Sequence, residues 1–513
     1  MSRLIRQQEA QYKTITAPAS YAGNPLIEAL PEIYSEEDVL SDVQYLPKVA
    51  FKLECSLPKH ERLHCVSAID DLVIAFPALF EVESALSIML RRGYAVRNPF
   101  SRSWRKSAMC IQDVMNKPIE EYQTRSKSIP AMMITSVSGG GKTTLIENLL
   151  EMYPQVISHT AYKEATFSVK QLVWIRVNAS FDASLRGLVL SLFGAVDNAL
   201  QTNYRSQYEN SKASVDTMLG RWAQIVTTHH LGVLFVDEVQ CLALRGDAEA
   251  NLALSLFLKI GNECKLPIIF GGTYSAVKLF SNVARNARRV CSGGYFDLQL
   301  PSSFRDAMWD KGTVQVVWKY QWVSNPAPLD DELRATFYEL TQGILAVLVA
   351  LHRTAQLYAI RQGLDRVDAA VIRKVYKTQF VLLHPALNAL KSKSRKRLEK
   401  FEDLLPPKDQ LDALLAPTAN EARADLIERL LAMNAKELEQ MASEPSGKGA
   451  TKTNAGEKEA HKAKNTNSGK QAEALGALLH KAGGNPGLLK LARQAGLVGA
   501  NESGGEEPSE ESI

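Results

Sequence analysis

Residues Ala131 to Asn148 read AMMITSVSGGGKTTLIEN, and the rest of the chain can be organised outward from them. The apolar run Ala131 to Ile134 predicts a buried strand, Ser138-Gly139-Gly140-Gly141 breaks it, and a helical pattern starts at Lys142. Strand, glycine loop and helix in that order make a phosphate-binding loop. Glycines let successive backbone N–H groups turn toward phosphate oxygens, and the helix N-terminus adds partial positive charge. Lys142 has the reach for β- and γ-phosphates, and the Thr143 hydroxyl suits Mg²⁺. The expected nucleotide cradle is therefore Ser136, Ser138, Gly139, Gly140, Gly141, Lys142, Thr143 and Thr144. Ser136 stands where the full motif has its first glycine, a small substitute at a crowded position.

A second motif is Gly232 to Gln240, GVLFVDEVQ, in which four apolar residues run into Asp237-Glu238. On a strand next to the loop-bearing one, both carboxylates would emerge near a γ-phosphate. Asp237 would then hold the metal through its water shell, and Glu238 would orient the attacking water. The plainer alternative is an acidic strand end that caps the next helix. Binding needs only the first acid, so the second argues for hydrolysis. Pro267 to Phe270 reads as a further strand running into Gly271-Gly272-Thr273, which makes Thr273 a candidate sensor of the same water or else a turn residue. The run NVARNARRVCSGG gathers Arg285, Arg288 and Arg289. At the far edge of the domain these could not reach their own phosphates but could complete a neighbour's site as arginine fingers. Ordinary surface arginines are the alternative.

The surrounding chain sets the class. With 513 residues there is room for two or three domains with full cores. An apolar fraction of 45% and a net charge of +4 are ordinary for a soluble protein. No apolar run is long enough to span a membrane, and the N-terminus lacks a secretory pattern. None of the six cysteines sits in a C-x-x-C pair, which fits free thiols in a reducing cytoplasm. Strands are expected at Ala131 to Ile134, Leu172 to Val177, Val233 to Val236, Pro267 to Phe270 and Tyr295 to Leu300, with helices between them. That alternation gives an α/β fold, a parallel sheet flanked by helices. Helical patterns also fall around Ile69 to Phe76 and Val82 to Leu90. Residues 330 to 390 read as all-helical, and 407 to 442 can form helices.

Three stretches stay open between two readings. Tyr21 to Ile33 is a docked arm or a partner-binding arm. Arg91 to Lys106 carries Arg91, Arg92, Arg97, Arg102, Arg105 and Lys106 beside Tyr94, Phe100 and Trp104, a nucleic-acid or acidic-protein contact or a solvated basic face. Residues 443 to 470 have the composition of a disordered linker, followed by an amphipathic patch at Ala472 to Leu497 and an acidic end, a docking peptide or a frayed tail.

Loop, Asp-Glu, Thr-ended strand, arginine cluster and helical lid follow the order of an initiator-type AAA+ ATPase. GNPLIEALP (Gly23 to Pro31), RRGYAVRNP (Arg91 to Pro99), SGGGKTT, LFVDEVQ, the ARNARR run, LTQGI (Leu340 to Ile344) and HPALNALKS (His384 to Ser392) together resemble TnsC, a relative of TniB. TnsC proteins are the ATP-dependent regulators of heteromeric Tn7-like transposons. The resemblance covers about residues 20 to 405 and implies four regions. These are an N-terminal arm and helices (1–125) that contact selector or transposase, an AAA+ core (126–305), a helical lid (306–405) and a mostly disordered tail (406–513). It implies ATP and Mg²⁺ as cofactors and nucleotide roles for Gly141, Lys142, Thr143, Asp237, Glu238, Thr273 and the Arg288-Arg289 pair. It also implies a homo-oligomeric ring or helical filament on double-stranded DNA, gripped without regard to sequence. A TnsD- or TniQ-type selector would recruit it, and it would recruit TnsA and TnsB, in the bacterial cytoplasm. In that family the DNA contacts come from helices after the second strand, which points to Arg186, Arg205 and Lys212. A helicase loader or replication initiator is the alternative within the fold, although 407–513 is too polar for the extra domain such a protein needs. A scaffold that binds ATP without hydrolysing it and a small-molecule phosphotransferase are readings from other classes. Glu238 speaks against the first and the arginine cluster against the second.

Overall fold

Among the described residues eight strands organise the fold: β1 (Gln7–Glu9), β2 (Ala131–Thr135), β3 (Val156–Tyr162), β4 (Ala165–Leu172), β5 (Trp174–Asn178), β6 (Val233–Asp237), β7 (Ile268–Gly272) and β8 (Tyr295–Asp297). The computed structural model describes residues 7–15, 18–115, 130–179, 184–281, 288–392, 394–398, 401 and 424–443. All of these lie in one compact unit, Met1–Ser446; a second, Gly447–Ile513, lies outside the described residues, and so does the expected amphipathic patch.

Five strands form a wholly parallel sheet in the order β5-β6-β7-β2-β8. Every residue of β2, β6 and β7 is buried, so these strands read as unbroken apolar runs, as expected where helices cover both faces. On one face the helices Leu185–Leu200, Val215–Thr228 and Asp247–Glu263 pack through Phe193, Trp222 and Phe257. On the other, helix Ala78–Val96 and the loop helix Lys142–Glu151 pack through Leu86, Tyr94, Ile146 and Leu149. All five expected strands are present, with ends shifted by one to three residues.

Three expectations are corrected. The acid-bearing β6 does not lie next to β2, because β7 pairs with both and separates them. Between the first two expected strands stand not only helix but a hairpin, β3 antiparallel to β4, with β1 added parallel to β3. Its exposed residues are polar or alanine, and its two-residue turn holds Lys163 at φ 54°. Such a half-exposed edge lacks the apolar run by which the other strands are read. Finally, Ile69 to Phe76 is not a helix. A 3₁₀ turn ends at Asp71, and Val73 pairs with Tyr45 as an isolated antiparallel bridge.

Tyr21 to Leu30 is a docked arm. Tyr21, Leu26, Ile27, Ala29 and Leu30 are buried in the same core as helix Ala78–Val96. Asn24 caps a short helix through Leu26 N–H at 3.1 Å and donates to the Tyr94 carbonyl at 2.8 Å. Arg91 donates to the Pro31 carbonyl at 2.7 Å, and Asn98 to that of Gly23 at 3.1 Å. The GNPLIEALP and RRGYAVRNP segments are thus two halves of one seam.

The lid consists of helices Asp331–Thr341, Leu345–Gln362, Ala369–Gln379 and His384–Lys391. The first two bend by 120° at Gln342-Gly343, both in the left-handed region. A Cβ on Gly343 would come within 2.5 Å of the Pro301 ring, so the LTQGI turn needs its glycine twice over, for conformation and for space. The helix Ala424–Ser443 follows and buries Leu430 in the core shared with the N-terminal arm. Among the described residues, no single helix is long and apolar enough to cross a membrane, and all six cysteines are free thiols.

Candidate active site

The loop after β2 runs Ser136 to Gly141, and Gly139 (φ 81°) and Gly141 (φ 92°) take backbone conformations that disfavour side chains. Ser136 is fully buried and donates to the Leu298 carbonyl at 3.2 Å, which ties the loop to the exit of β8. A Cβ on Gly140 would lie 2.0 Å from the Ser136 Oγ, so Gly140 is what makes a serine possible at the first motif position. Lys142 opens the helix with its side chain nearly buried, 3.5 Å from Glu238 Oε1. Thr143 donates to Asp237 Oδ2 at 2.8 Å, while Ser138 and Thr144 are exposed at the mouth.

The inserted β7 explains how Asp237 reaches Thr143 from two strands away. A Cβ on Gly271 would stand 2.9 Å from Asp237 Oδ1, and one on Gly272 would stand 3.0 Å from Gln240 Oε1. The glycine pair leaves the end of β7 bare, so both side chains lie across it toward the loop. Thr273, the next residue, is buried between the loop and the acids; its N–H donates to Gln240 Oε1 at 3.1 Å and its hydroxyl meets Ser275 Oγ at 2.8 Å. Glu238 sits at φ 53°. A left-handed conformation costs an L-residue about 1 to 2 kcal/mol, and here it turns the second carboxylate away from its strand and toward Lys142.

Two groups that the sequence reading passed over stand at the cleft. Arg176 on β5 lies 3.2 Å from Asp237 Oδ2, also pairs with Glu147, and stacks over the Phe235 ring. It links β5, β6 and the loop helix. The signal was present as a lone cation among apolar residues in WIRVN. Arg353 on the lid helix pairs with Asp70 at 2.5 Å, both about two-fifths exposed. It lines a cavity of about 440 Å³ with Phe76, Gly139, Lys142, Thr143, Glu238 and Ala346. Ala346 N–H donates to the Gly139 carbonyl at 3.2 Å, so the lid rests on the loop itself. The apolar side of the cavity, with Ile74, Phe76, Leu345 and Val349, suits a flat base, and the polar side suits a phosphate chain. Thr143 and Asp237 together offer hard oxygens, the donor set of a magnesium ion.

Arg288 and Arg289 precede β8, Arg288 exposed and Arg289 half-buried. The turn after them is tied to the beginning of β2, through Ser292 Oγ and Gly293 N–H on Ala131. At about 3.3 Å per residue, the length of β2 sets the phosphate loop roughly 15 Å or more away. The backbone of both arginines therefore stands near the end of β2 remote from their own phosphate loop. Arg285 lies outside the described residues.

The remaining cations divide. Arg186 donates to the carbonyls of Tyr208, Ser211 and Ala213 at 2.7 to 2.8 Å, its guanidinium turned inward onto one loop. Arg205 is half-exposed beside Glu209, and Lys212 is exposed. In the basic stretch, Arg91, Tyr94, Arg97 and Trp104 are interior, which corrects the picture of a continuous basic-aromatic face. Arg92, Arg102, Arg105 and Lys106 remain outside.

The AAA domain family matches residues 126–280. The core is an AAA+ P-loop domain. No curated protein matches the chain. Among solved structures it is similar to Cdc6p from Pyrobaculum aerophilum at 12% identity, covering 66% of this chain and 95% of that one with a TM-score of 0.31. The ORC2 protein of Aeropyrum pernix in its ADP form matches at 16% identity, covering 66% and 94%, TM-score 0.31. The RuvB Holliday junction branch migration motor of Thermotoga maritima matches at 12%, covering 64% and 86%, TM-score 0.29.

Proposed function

We propose that the chain is an ATP-hydrolysing regulator of the TnsC type, assembling on double-stranded DNA when ATP is bound. The observation that carries hydrolysis is the arrangement around the loop, with Thr143 on Asp237 and Glu238 held beside Lys142. Thr143 and Asp237 would hold Mg²⁺, which supplies charge neutralisation on the β- and γ-phosphates when bound. Lys142 exchanges Glu238 for phosphate oxygens. Glu238 orients a water whose oxygen bonds to the γ-phosphorus as the bond to the bridging oxygen breaks. The water's proton passes to the carboxylate, and ADP leaves with the bonding pair. Thr273 bounds the same water from the end of β7. Arg353 is placed to report on the phosphates to the lid, exchanging Asp70 for them.

Arg288 and Arg289 support an assembly, because they lie far from their own cleft and suit a neighbour's. The TnsC reading rests on the segments from GNPLIEALP to HPALNALKS, two of which form one buried seam. On this reading Arg205 and Lys212 are better placed than Arg186 to meet a DNA backbone. A grip on phosphates gives affinity that falls steeply with salt and leaves target choice to a TnsD- or TniQ-type selector, with TnsA and TnsB as the recruited partners. The test is sedimentation and microscopy with DNA in four states: ATP, a slowly hydrolysed analogue, ADP and no nucleotide. Large DNA-bound assemblies with ATP or the analogue are expected, abolished by Lys142→Ala and prolonged by Glu238→Gln. Monomers that ignore DNA in every state would overturn the proposal in favour of a loader or an enzyme acting alone.

A further inference from the structure

Gln240 is the last residue of the LFVDEVQ run, and neither phosphate chemistry nor metal binding needs it. Its side chain is nevertheless held at both ends. The amide Nε2 donates to Glu238 Oε2, and the amide oxygen accepts the Thr273 N–H at 3.1 Å. Those two partners fix which end is nitrogen and which is oxygen, since a backbone N–H only donates and an ionised carboxylate only accepts. The space is reserved as well: the Gly272 Cβ position would crowd both Gln240 Oε1 at 3.0 Å and Ala276 Cβ at 2.7 Å. Glu238 itself is partly exposed, sits in a strained left-handed backbone and has Lys142 as its other partner, at 3.5 Å. When a triphosphate draws Lys142 away, the amide of Gln240 is the contact that remains on the carboxylate.

We infer that Gln240 is a positioning residue for hydrolysis. It holds one oxygen of Glu238 so that the other faces the attacking water, and it ties that carboxylate to the Thr273 end of β7. This role rests on the ATPase reading above. It separates binding from turnover: Gln240 is not among the residues that line the cavity, so its loss acts on kcat and leaves nucleotide affinity alone. Replacing its amide by a carboxylate would keep the shape and the acceptor for Thr273 N–H. It would also remove the donor to Glu238 Oε2 and set a second carboxylate there, so the oxygen that Gln240 holds is released.

The experiment measures fluorescent-nucleotide binding and steady-state turnover for the full chain with DNA, in wild type, Gln240→Ala, Gln240→Glu, Glu238→Gln and the Gln240→Ala/Glu238→Gln double variant. For Gln240→Ala, kcat is expected to fall about tenfold or more, within the range that a positioned base supplies, with affinity within about twofold of wild type. In Gln240→Glu, which keeps the shape and the acceptor but loses the donor to Glu238, kcat is expected to fall as in Gln240→Ala with affinity within about twofold of wild type, a loss that missing packing would not produce. The double variant should be no slower than Glu238→Gln alone. A wild type that turns over ATP beside a Gln240→Ala protein of equal kcat, or a Gln240→Glu protein with wild-type kcat, would overturn this role and leave the ATPase reading standing. A wild type that binds ATP and never hydrolyses it would overturn both.

Discussion

Arg97 and Arg176 are both cations in the interior half of the molecule, and their surroundings make them opposites. Arg97 spends its donors on neutral carbonyls, those of Gly93, Leu231 and Gly232, and lies over the Tyr94 ring. Burial pulls its pKa down to about 10, which still leaves it charged at neutral pH. It joins helix Ala78–Val96 to the start of β6 and faces nothing that could enter from solvent. Arg176 spends its donors on two carboxylates, Glu147 and Asp237, at the edge of a cleft. One holds the fold together through polar groups that never change partners; the other balances charges that a metal and a phosphate chain would disturb. The lid repeats the contrast in consecutive residues. His352 is wholly buried, its Nε2 2.8 Å from the Tyr320 carbonyl oxygen, and Arg353 turns out onto Asp70 at the cavity.

The contrast can be broken by exchange. Arg97→Ala strips three buried carbonyls of their donor and leaves a hole, and should cost about 4 kcal/mol in urea unfolding. Arg176→Ala should cost under about 1 kcal/mol, yet lower turnover about tenfold through a misplaced Asp237. Equal stability losses in the two would erase the distinction. A smaller effect comes from His352. The Tyr320 carbonyl can only accept, so Nε2 carries the proton, and Nδ1 has no hydrogen-bond partner. Burial pushes its pKa down to about 4 from the ordinary 6.5. The unfolded chain therefore binds a proton that the folded chain refuses. Stability is intact above pH 6.5 and declines as pH falls toward 4, by up to about 3 kcal/mol from this group. His352→Gln should flatten that part of the pH–stability curve. Smallest in stability is Arg353→Ala, within about 0.5 kcal/mol of wild type because the Asp70 pair is solvated. Its effect should fall on nucleotide affinity, about threefold weaker in a binding titration if the lid senses phosphate.

Much of this site was legible. The loop, the Asp-Glu pair and the Thr-ended strand carry their chemistry in local order, and the structure brings Lys142, Thr143, Asp237, Glu238 and Thr273 together at one end of the sheet. Strand order was not legible, because apolar runs say which segments are buried and not which lie side by side; β7 between β2 and β6 is a fact of topology. The role of Gly271-Gly272 could have been suspected from that same problem, since a middle strand must be bare for Asp237 to cross it. Arginines were the hardest to place. Arg91, Arg97 and Arg186 look in sequence like Arg102 or Arg288, and only the carbonyls around them, contributed by distant segments, tell them apart. The β3–β4 hairpin was missed for a related reason: half of it faces solvent, and its pattern is too polar to stand out.

The central claim is that the cleft is completed by Arg288 and Arg289 of a second copy on DNA. The most direct test mixes two silent proteins, Glu238→Gln, which still assembles, and the double variant Arg288→Ala/Arg289→Ala, and measures ATP turnover with DNA. Each alone should be inactive, and the mixture should recover turnover, because an intact Glu238 and intact arginines then meet across subunit boundaries. Full activity of the arginine variant by itself, or a mixture that assembles and stays silent, would contradict it.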